Sequence, residues 1–173
     1  MRRKTYELSG HLHFVTFSVF GRRKLLETNK SKQIVLGDLS TQMHRFNAYC
    51  VGYVVMPEHV HALIGFHSKS QIALLMQEWK RKTSRVFKVI YMADESFLKE
   101  LQTSSGQFRF WQPKYYDFLV RSLKKMNEKL VYIHNNPVNR KLVARSVDYK
   151  YSSARYYETG KTLGVKITRV DAS

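Results

Sequence analysis

The chain has 173 residues, of which 43% are hydrophobic and 25% are charged. This composition is that of one ordinary globular domain, and it excludes a disordered or low-complexity protein. A total of 30 Lys and Arg against 13 Asp and Glu gives a formal net charge of +17, which favours a polyanionic partner such as nucleic acid.

The first half of the chain predicts three strands and one helix. Apolar and β-branched residues crowd positions 11–20 and predict the first strand. Apolar residues at helical spacing then predict an amphipathic helix over positions 29–46. Positions 48–56 and 59–66 read as two more strands. Because only a tight reversal fits the short link at positions 56–58, we expect these two strands to pair antiparallel.

The second half predicts two helices around a fourth strand. A helix begins near Ser70, with an apolar face and an exposed basic side that carries Lys80, Lys82 and Arg85. Positions 91–110 have no clean period, so we expect an irregular excursion there. A strand over 114–121 and a third helix from Ser122, its expected N-cap, to about position 136 complete the pattern.

This order of elements predicts the fold class. Strand, helix, strand, strand, helix, strand is the split β-α-β pattern of the ferredoxin-like fold, an α+β antiparallel sheet with helices on one face. The third helix is an addition at the C-terminal end. Because many unrelated functions use this fold, the candidate site has to decide the function.

The cysteine content and the apolar segments restrict the cellular setting. A single cysteine, Cys50, excludes an intramolecular disulfide and a zinc site built from several cysteines. The N-terminus lacks the apolar stretch of a signal peptide, and no apolar run approaches about 18 residues. We therefore expect a cytoplasmic protein without a membrane partner.

Two histidines in the third predicted strand form a candidate metal site. Side chains alternate between the faces of a strand, so His59 and His61 project from the same side and Val60 from the other. Two neutral imidazoles suit Mn, Zn, Co or Ni, and they accept Mg when oxygen ligands complete the shell. The alternative interpretation is a pair of structural strand histidines.

A second pair with the same spacing, His11 and His13, lies at the start of the first predicted strand. Spacing alone does not rank the two pairs. His59 and His61 follow a tight turn in what we expect to be a central strand, whereas His11 follows Ser-Gly at a strand end. We therefore expect His11 and His13 to be structural.

The third predicted helix separates one tyrosine from the other ten. At about 100° per residue, Tyr132 and Asn136 fall away from the apolar stripe of that helix and share another face. Because they are four residues apart, a phenol and an amide can approach one point together. Pro137 disfavours helical geometry in the residue before it, so we expect the helix to end at Asn136.

The sequence around these residues is similar to a known family. Positions 54–64, VVMPEHVHALI, resemble the HUH segment of the single-tyrosine insertion-sequence transposases. Positions 110–117, FWQPKYYD, and 132–138, YIHNNPV, resemble the second block of that family, in its branch associated with repetitive extragenic palindromes. With positions 149–154, YKYSSA, the similarity runs from about residue 11 to 157 and leaves a basic arm, 1–10, and a tail, 158–173.

The resemblance implies a function and a set of site residues. It implies that His59 and His61 bind a divalent metal, with Mg or Mn preferred, and that Asn136 is the third protein ligand where better-known members have glutamine. It implies that Tyr132 cleaves and rejoins single-stranded DNA through a 5′-phosphotyrosine intermediate. Hairpin-forming repeats are the implied substrate, and either a monomer or a homodimer fits, because some relatives build one active site from two chains.

Residue chemistry adds contacts that the resemblance does not specify. A phenol with a pKa of about 10 needs a cation or a base, and Glu58 and His134 are candidate bases. Phe110, Trp111 and Tyr115 are candidate stacking platforms for unpaired bases, with core packing as the alternative. The predicted DNA-binding residues are Arg2, Arg3, Lys80, Lys82, Arg85, Arg109, Trp111 and Lys114.

Two other functions fit part of the pattern. One is a non-catalytic nucleic-acid-binding module on the same fold, which would use an open sheet face and exposed aromatics. The other is a metal-dependent nuclease that uses water, for which the hydroxyl of Tyr132 would be dispensable.

Overall fold

The computed structural model describes residues 11–170, and every structural statement below concerns those residues. The proposed arm 1–10, with Arg2 and Arg3, lies outside them. Four strands form one antiparallel sheet in the order β2-β3-β1-β4. Their bounds are β1 Leu12–Ser18, β2 Ala48–Val55, β3 His59–Phe66 and β4 Tyr116–Val120. This order and the helices between the strands confirm the predicted ferredoxin-like α+β fold.

Five α-helices accompany the sheet in the described part of the chain. The Thr28 hydroxyl caps the first helix by accepting the Ser31 N–H at 3.1 Å, and the Ser122 hydroxyl caps the fourth by accepting the Lys125 N–H at the same distance. The second cap is the one predicted. The helices are α1 Asn29–Arg45, α2 Ile72–Tyr91, α3 Glu95–Glu100, α4 Leu123–Asn139 and α5 Ala154–Thr159.

Two sequence expectations about these helices are wrong. Positions 91–110 are not wholly irregular, because α3 forms there with Asp94 as N-cap, accepting the Phe97 N–H at 3.0 Å. The helix that carries Tyr132 also continues through Pro137 to Asn139. Pro137 is buried in the last turn of α4, where its missing N–H and its ring disturb only the end of the helix.

One face of the sheet carries α1 and α2. In β1, Val15 and Phe17 point to this side, and in β3, Val60 and Ala62 do. Trp79 of α2 is fully buried against Phe17, with ring centroids 4.7 Å apart. This layer is the larger of the two hydrophobic cores, and it leaves the alternate residues of each strand for the opposite face.

The opposite face of the sheet carries α4. Leu12 and Phe14 of β1 and Leu63 of β3 pack there against the apolar stripe of the helix, Met126, Leu130 and Ile133. Strand register places Thr16 opposite His61 and Ser18 opposite His59 on this same face. The two histidines therefore lie beneath the helix that carries Tyr132.

The C-terminal segment packs on the outside of β2. Ile167 pairs with Cys50 in a parallel bridge, and the Thr168 N–H donates to the Cys50 carbonyl at 2.8 Å. Val165 and Ile167 are almost fully buried. The described part of the expected tail, 158–170, thus contributes to the core. No helix within 11–170 is both long enough and apolar enough to span a bilayer.

Candidate catalytic site

His59 and His61 converge as the strand alternation predicts. Their side chains leave β3 on the same face, and the two Nε2 atoms lie 3.0 Å apart. Both residues are about 95% buried, with relative exposures of 5% and 4%. Two ring nitrogens at this separation, facing one point, form a preorganised pair of donors for a cation.

The other nitrogen of each ring is held by the protein. His61 Nδ1 lies 2.7 Å from the Thr16 hydroxyl on β1, and His59 Nδ1 lies 3.1 Å from a carboxylate oxygen of Glu58. A partner at Nδ1 fixes the orientation and the tautomer of an imidazole, and it leaves the Nε2 lone pair for the metal. Thr16 therefore positions the His61 ring by a hydrogen bond, whereas Glu58 and His59 make an ion-pair contact without hydrogen-bond geometry.

Electrostatics keep both rings neutral. Burial, together with the nearby His59, Lys129 and Arg22, lowers the pKa of His61 to about 3. Burial also lowers the pKa of His59, although the Glu58 carboxylate opposes the shift. Because a protonated imidazole cannot bind a metal, low pKa values keep the pair competent at neutral pH.

Asn136 brings an amide to the same point. Its Nδ2 lies 3.2 Å from His61 Nε2, and its Oδ1 is buried without a hydrogen-bond partner in the described part of the chain. The two amide atoms exchange places when the group turns by half a rotation, so the oxygen can face the imidazoles. A buried amide next to the imidazole pair, with an oxygen that has no partner in the described residues, fits the donor set of a divalent cation.

No acidic or thiol side chain joins the two imidazoles in the described part of the chain. Within residues 11–170, no group of three or more His, Cys, Asp and Glu side chains surrounds a common point. Glu58 is next to His59, but it contacts the ring nitrogen that faces away from the pair. A set of two imidazoles and one amide oxygen leaves open positions for substrate oxygens, as catalytic metal sites require.

Tyr132 lies beside this donor set and is open to solvent. Its ring centroid is 5.2 Å from that of His61, and 48% of the residue is exposed. On one side is a cavity of about 370 Å³ that includes His59 and Asn136, and on the other is a cavity of about 410 Å³ that includes Phe14. A strand of DNA can therefore approach the phenol from either side.

The chain is similar to known transposases in sequence and in fold. A model of the IS200-like transposases matches residues 6–136, about three quarters of the chain. The chain belongs to the IS200-like transposase family. A Haemophilus influenzae protein described as a REP-associated tyrosine transposase is 25% identical over 154 residues, which cover 83% of this chain and 80% of that protein.

Two solved structures share the fold of this transposase. One is a REP-associated tyrosine transposase bound to a REP hairpin, with a TM-score of 0.69, 19% identity, and coverage of 100% of this chain and 94% of the other. The other, from Deinococcus radiodurans, is described as a transposase and has a TM-score of 0.50, 18% identity, and coverage of 78% and 97%. Family membership makes this chain a DNA-processing enzyme.

The second histidine pair of the transposase lies away from the candidate site. His13 projects to the α1–α2 face, where Nδ1 contacts Asp117 and Nε2 contacts Ser70, both at 2.8 Å. Both ring nitrogens are thus used within the protein, as expected of a structural histidine. His11 precedes β1 and is half-buried.

The predicted stacking platforms are not available to DNA. Trp111 is 4% exposed, and its indole N–H donates to the Thr83 hydroxyl at 2.9 Å inside the core. Phe110 is fully buried and stacks on Phe87 with ring centroids 4.0 Å apart. The proposed DNA contact of Trp111 is therefore wrong, and core packing is the correct alternative. Tyr115 is half-buried beneath the Lys80 ammonium.

None of the predicted basic contacts in the described part of the chain lines either cavity beside Tyr132. Lys80 donates to the carbonyls of Gln112 and Pro113 at 2.7 and 2.8 Å, so its ammonium anchors that loop rather than standing free for DNA. Lys82 and Arg85 belong to α2, which packs on the face opposite the imidazoles. The remaining two lie in the segment between α3 and β4: Arg109 is half-buried and Lys114 is exposed.

Neither candidate base is placed to take the phenol proton. The His134 Nε2 lies 2.9 Å from the Ser153 hydroxyl, its ring lies against Tyr157, and burial lowers its pKa to about 4. Glu58 is 3% exposed and faces His59. The sequence analysis did not identify Thr16 as a partner of His61, although strand alternation already places Thr16 on the same face of β1 as Phe14.

Proposed function

We propose that this transposase is a single-stranded DNA endonuclease and strand-transferase that uses Tyr132 as its nucleophile. A divalent metal, Mg or Mn, would be held by His59, His61 and Asn136. The observation that carries the proposal is the meeting of two neutral imidazoles, an unpartnered amide oxygen and an exposed phenol at one end of the sheet. We treat the whole chain, 1–173, as one nuclease domain.

The chemistry conserves the energy of the cut bond. The Tyr132 hydroxyl oxygen forms a bond to the scissile phosphorus as the bond from phosphorus to the 3′ oxygen breaks. The phenol proton leaves to solvent, and the departing 3′ oxygen takes up a proton and becomes a hydroxyl. The resulting 5′-phosphotyrosine is attacked by a 3′ hydroxyl in the reverse step, so rejoining needs no nucleotide cofactor.

The chain's own residues supply positioning and charge. When bound, the divalent metal supplies Lewis acidity toward a non-bridging oxygen of the phosphate. Thr16 and Glu58 contact the two imidazole rings, and α4 holds Tyr132 and Asn136 one turn apart. All of these groups come from one chain, so we propose a site that is complete in a monomer, with a homodimer as the alternative arrangement.

The substrate is proposed to be single-stranded DNA with hairpin-forming repeats. The formal charge of +17 favours a polyanion, and a solved structure of similar fold is that of a transposase bound to a REP hairpin. The cavities on both sides of Tyr132 have room for an unpaired strand. Of the predicted DNA contacts, Lys82, Arg85, Arg109 and Lys114 remain proposals, because they could hold DNA outside the catalytic face.

Covalent trapping tests the proposal. The protein is incubated with a library of single-stranded DNA hairpins with unpaired flanks, in Mn or Mg, and adducts are detected on denaturing gels and located by mass spectrometry. We expect an adduct on Tyr132 that Tyr132→Phe and His61→Ala abolish. Tyr116→Phe is the matched control, since Tyr116 is 52% exposed and lines the same cavity, and it should retain the adduct.

The alternatives give different outcomes in the same experiment. Bound but intact DNA in every metal would indicate a non-catalytic binding module. Cleavage that Tyr132→Phe retains would indicate a nuclease that activates water. Either result would overturn the covalent mechanism.

A further inference from the structure

One lysine next to Tyr132 has an unusual setting. Lys129 precedes the tyrosine by three residues on α4, so the two side chains are neighbours on the helix surface. Its ammonium lies 4.5 Å from the ring centroid of Phe14, 4.8 Å from that of Phe118 and 6.0 Å from that of Tyr116. Lys129, His61 and Tyr132 line the same cavity of about 410 Å³.

The pairing of β1 with β4 places three aromatic rings, those of Phe14, Phe118 and Tyr116, around the Lys129 ammonium. Phe14 on β1 pairs with Phe118 on β4, and Thr16 pairs with Tyr116, so all these side chains leave the sheet on the α4 face. Aromatic faces attract a cation through their quadrupole and restrict a flexible lysine stem to one place. The three rings therefore hold the Lys129 ammonium beside the candidate nucleophile before any substrate binds.

The ammonium of Lys129 has no direct ion-pair partner in the described part of the chain, and Glu128, with which it interacts through space, is already paired with Lys125. Among residues 11–170, no carboxylate forms an ion pair with it and no acceptor receives a hydrogen bond from it. Lys125, one turn earlier and in the same cavity, is instead paired with Glu128. Aromatic rings compensate part of a positive charge but accept none of its three N–H bonds, so the ammonium retains its donors for an anion.

We propose that Lys129 is a phosphate-binding residue of this transposase that grips the DNA backbone beside the nucleophile. The ligand is a phosphodiester of the unpaired strand as it passes between Tyr132 and the open β4 edge of the sheet. The inference rests on the proposed function only in taking single-stranded DNA as the ligand. The proposed contact is electrostatic and lies on the catalytic face, whereas Trp111 is buried in the core on the other face.

The test measures how DNA binding depends on salt. Fluorescence anisotropy with a labelled 20-nucleotide oligo(dT) gives the dissociation constant over a range of NaCl concentrations, in a Tyr132→Phe background so that no cleavage interferes. Loss of one phosphate contact to a single strand lowers the slope of log K against log salt by about 0.7. We expect this loss in Lys129→Met, with about fivefold weaker binding at 100 mM NaCl, the size of one exposed ion pair.

Two further variants separate binding from packing. Lys129→Arg should restore the salt slope, since it keeps the charge, whereas methionine keeps only the packing on the rings. Lys124→Met is the matched control on the same helix, and it should change the slope by much less because Lys124 is exposed and does not line the cavity beside Tyr132. An unchanged slope in Lys129→Met, or equal losses in the two methionine variants, would overturn the proposal.

This readout is independent of the covalent reaction. A transposase that binds oligo(dT) through Lys129 but forms no adduct would contradict the proposed function and leave the phosphate contact standing. An adduct on Tyr132 together with an unchanged salt slope in Lys129→Met would support the proposed function and contradict the phosphate contact. Thermal unfolding of Lys129→Met, expected within a few degrees of the wild type, shows that the fold is intact.

Discussion

The Glu58 carboxylate joins the metal-binding strand to the end of the nucleophile helix. Glu58 Oε1 lies 2.8 Å from Nη2 of Arg140, the residue that follows α4, and 3.1 Å from Nδ1 of His59. The carboxylate is 3% exposed, and Arg22 adds a second guanidinium at 3.6 Å. The buried Glu58 carboxylate thus contacts both an imidazole of the candidate site and the residue that follows the helix carrying Tyr132 and Asn136.

The first prediction concerns this anion. Glu58→Gln keeps the shape of the side chain but removes the charge that holds the His59 Nδ1 proton, so we expect Mn²⁺ affinity to fall at least about tenfold. Isothermal titration with Mn²⁺ measures it. Glu158→Gln is the control and should bind Mn²⁺ as the wild type does, because Glu158 is an exposed carboxylate that pairs with Arg145 and lines neither cavity beside Tyr132. Equal affinities for wild type and Glu58→Gln would contradict the positioning role.

The second prediction concerns the amide ligand. Asn136→Leu removes the oxygen but keeps the branched shape of the side chain, and Mn²⁺ affinity should fall by about tenfold or more. Asn136→Asp keeps an oxygen at the same place and adds a negative charge, so it should bind Mn²⁺ at least as tightly as the wild type. Both are measured by the same titration. If leucine and aspartate behave alike, the amide does not contact the metal.

The third prediction concerns stability in acid. Burial lowers the folded-state pKa of His134 from 6.5 to about 4, so between these values the unfolded chain binds the extra proton. Stability is therefore full above pH 6.5 and is lost as pH falls toward 4. His134 should account for about 1 to 2 kcal/mol of the fall in unfolding free energy between pH 7.5 and 5.

Urea unfolding at the two pH values measures this loss. His134→Gln should make the fall smaller by that amount, because the variant has no imidazole to protonate in the unfolded chain. The exposed His44 provides the control substitution, His44→Gln. The same pH dependence in wild type and His134→Gln would show that the buried ring does not contribute.

The fourth prediction concerns the contact of β2 with α4. A Cβ on Gly52 would lie 2.4 Å from Leu130 Cδ1 and 3.2 Å from the Ser153 hydroxyl, so Gly52→Ala forces the helix side chain to move. We expect it to lower the unfolding free energy by about 1 to 3 kcal/mol. Gly37→Ala, with no atom within 4 Å in the exposed middle of α1, should raise it by about 0.5 to 1 kcal/mol.

Urea unfolding at pH 7.5 compares the two alanine variants. Gly37→Ala tests whether the assay resolves a gain in helix propensity, and Gly52→Ala tests the close packing under α4. A Gly52→Ala protein as stable as the wild type would mean that the helix can shift without cost. In that case the placement of Tyr132 over the imidazoles would be less rigid than the contacts indicate.

The sequence by itself determined the elements and the local pairings. Alternation along β3 sets His59 and His61 on one side, and helical periodicity sets Tyr132 and Asn136 one turn apart, because both relations depend only on backbone repeats of two and 3.6 residues. The same repeats predicted the order of strands and helices. They failed at Pro137, where the packing of the helix outweighs a local preference.

Only the tertiary structure decided which face each side chain meets. In the paired strands β1 and β3, His13 lies on the face that packs against α1 and α2, whereas His61 lies on the face that packs against α4. The burial of Trp111 and the ion pair of Glu58 with Arg140 also depend on segments far apart in the chain. A periodic pattern indicates which residues share a side of a strand, but long-range packing determines which side faces α4 and forms the candidate site.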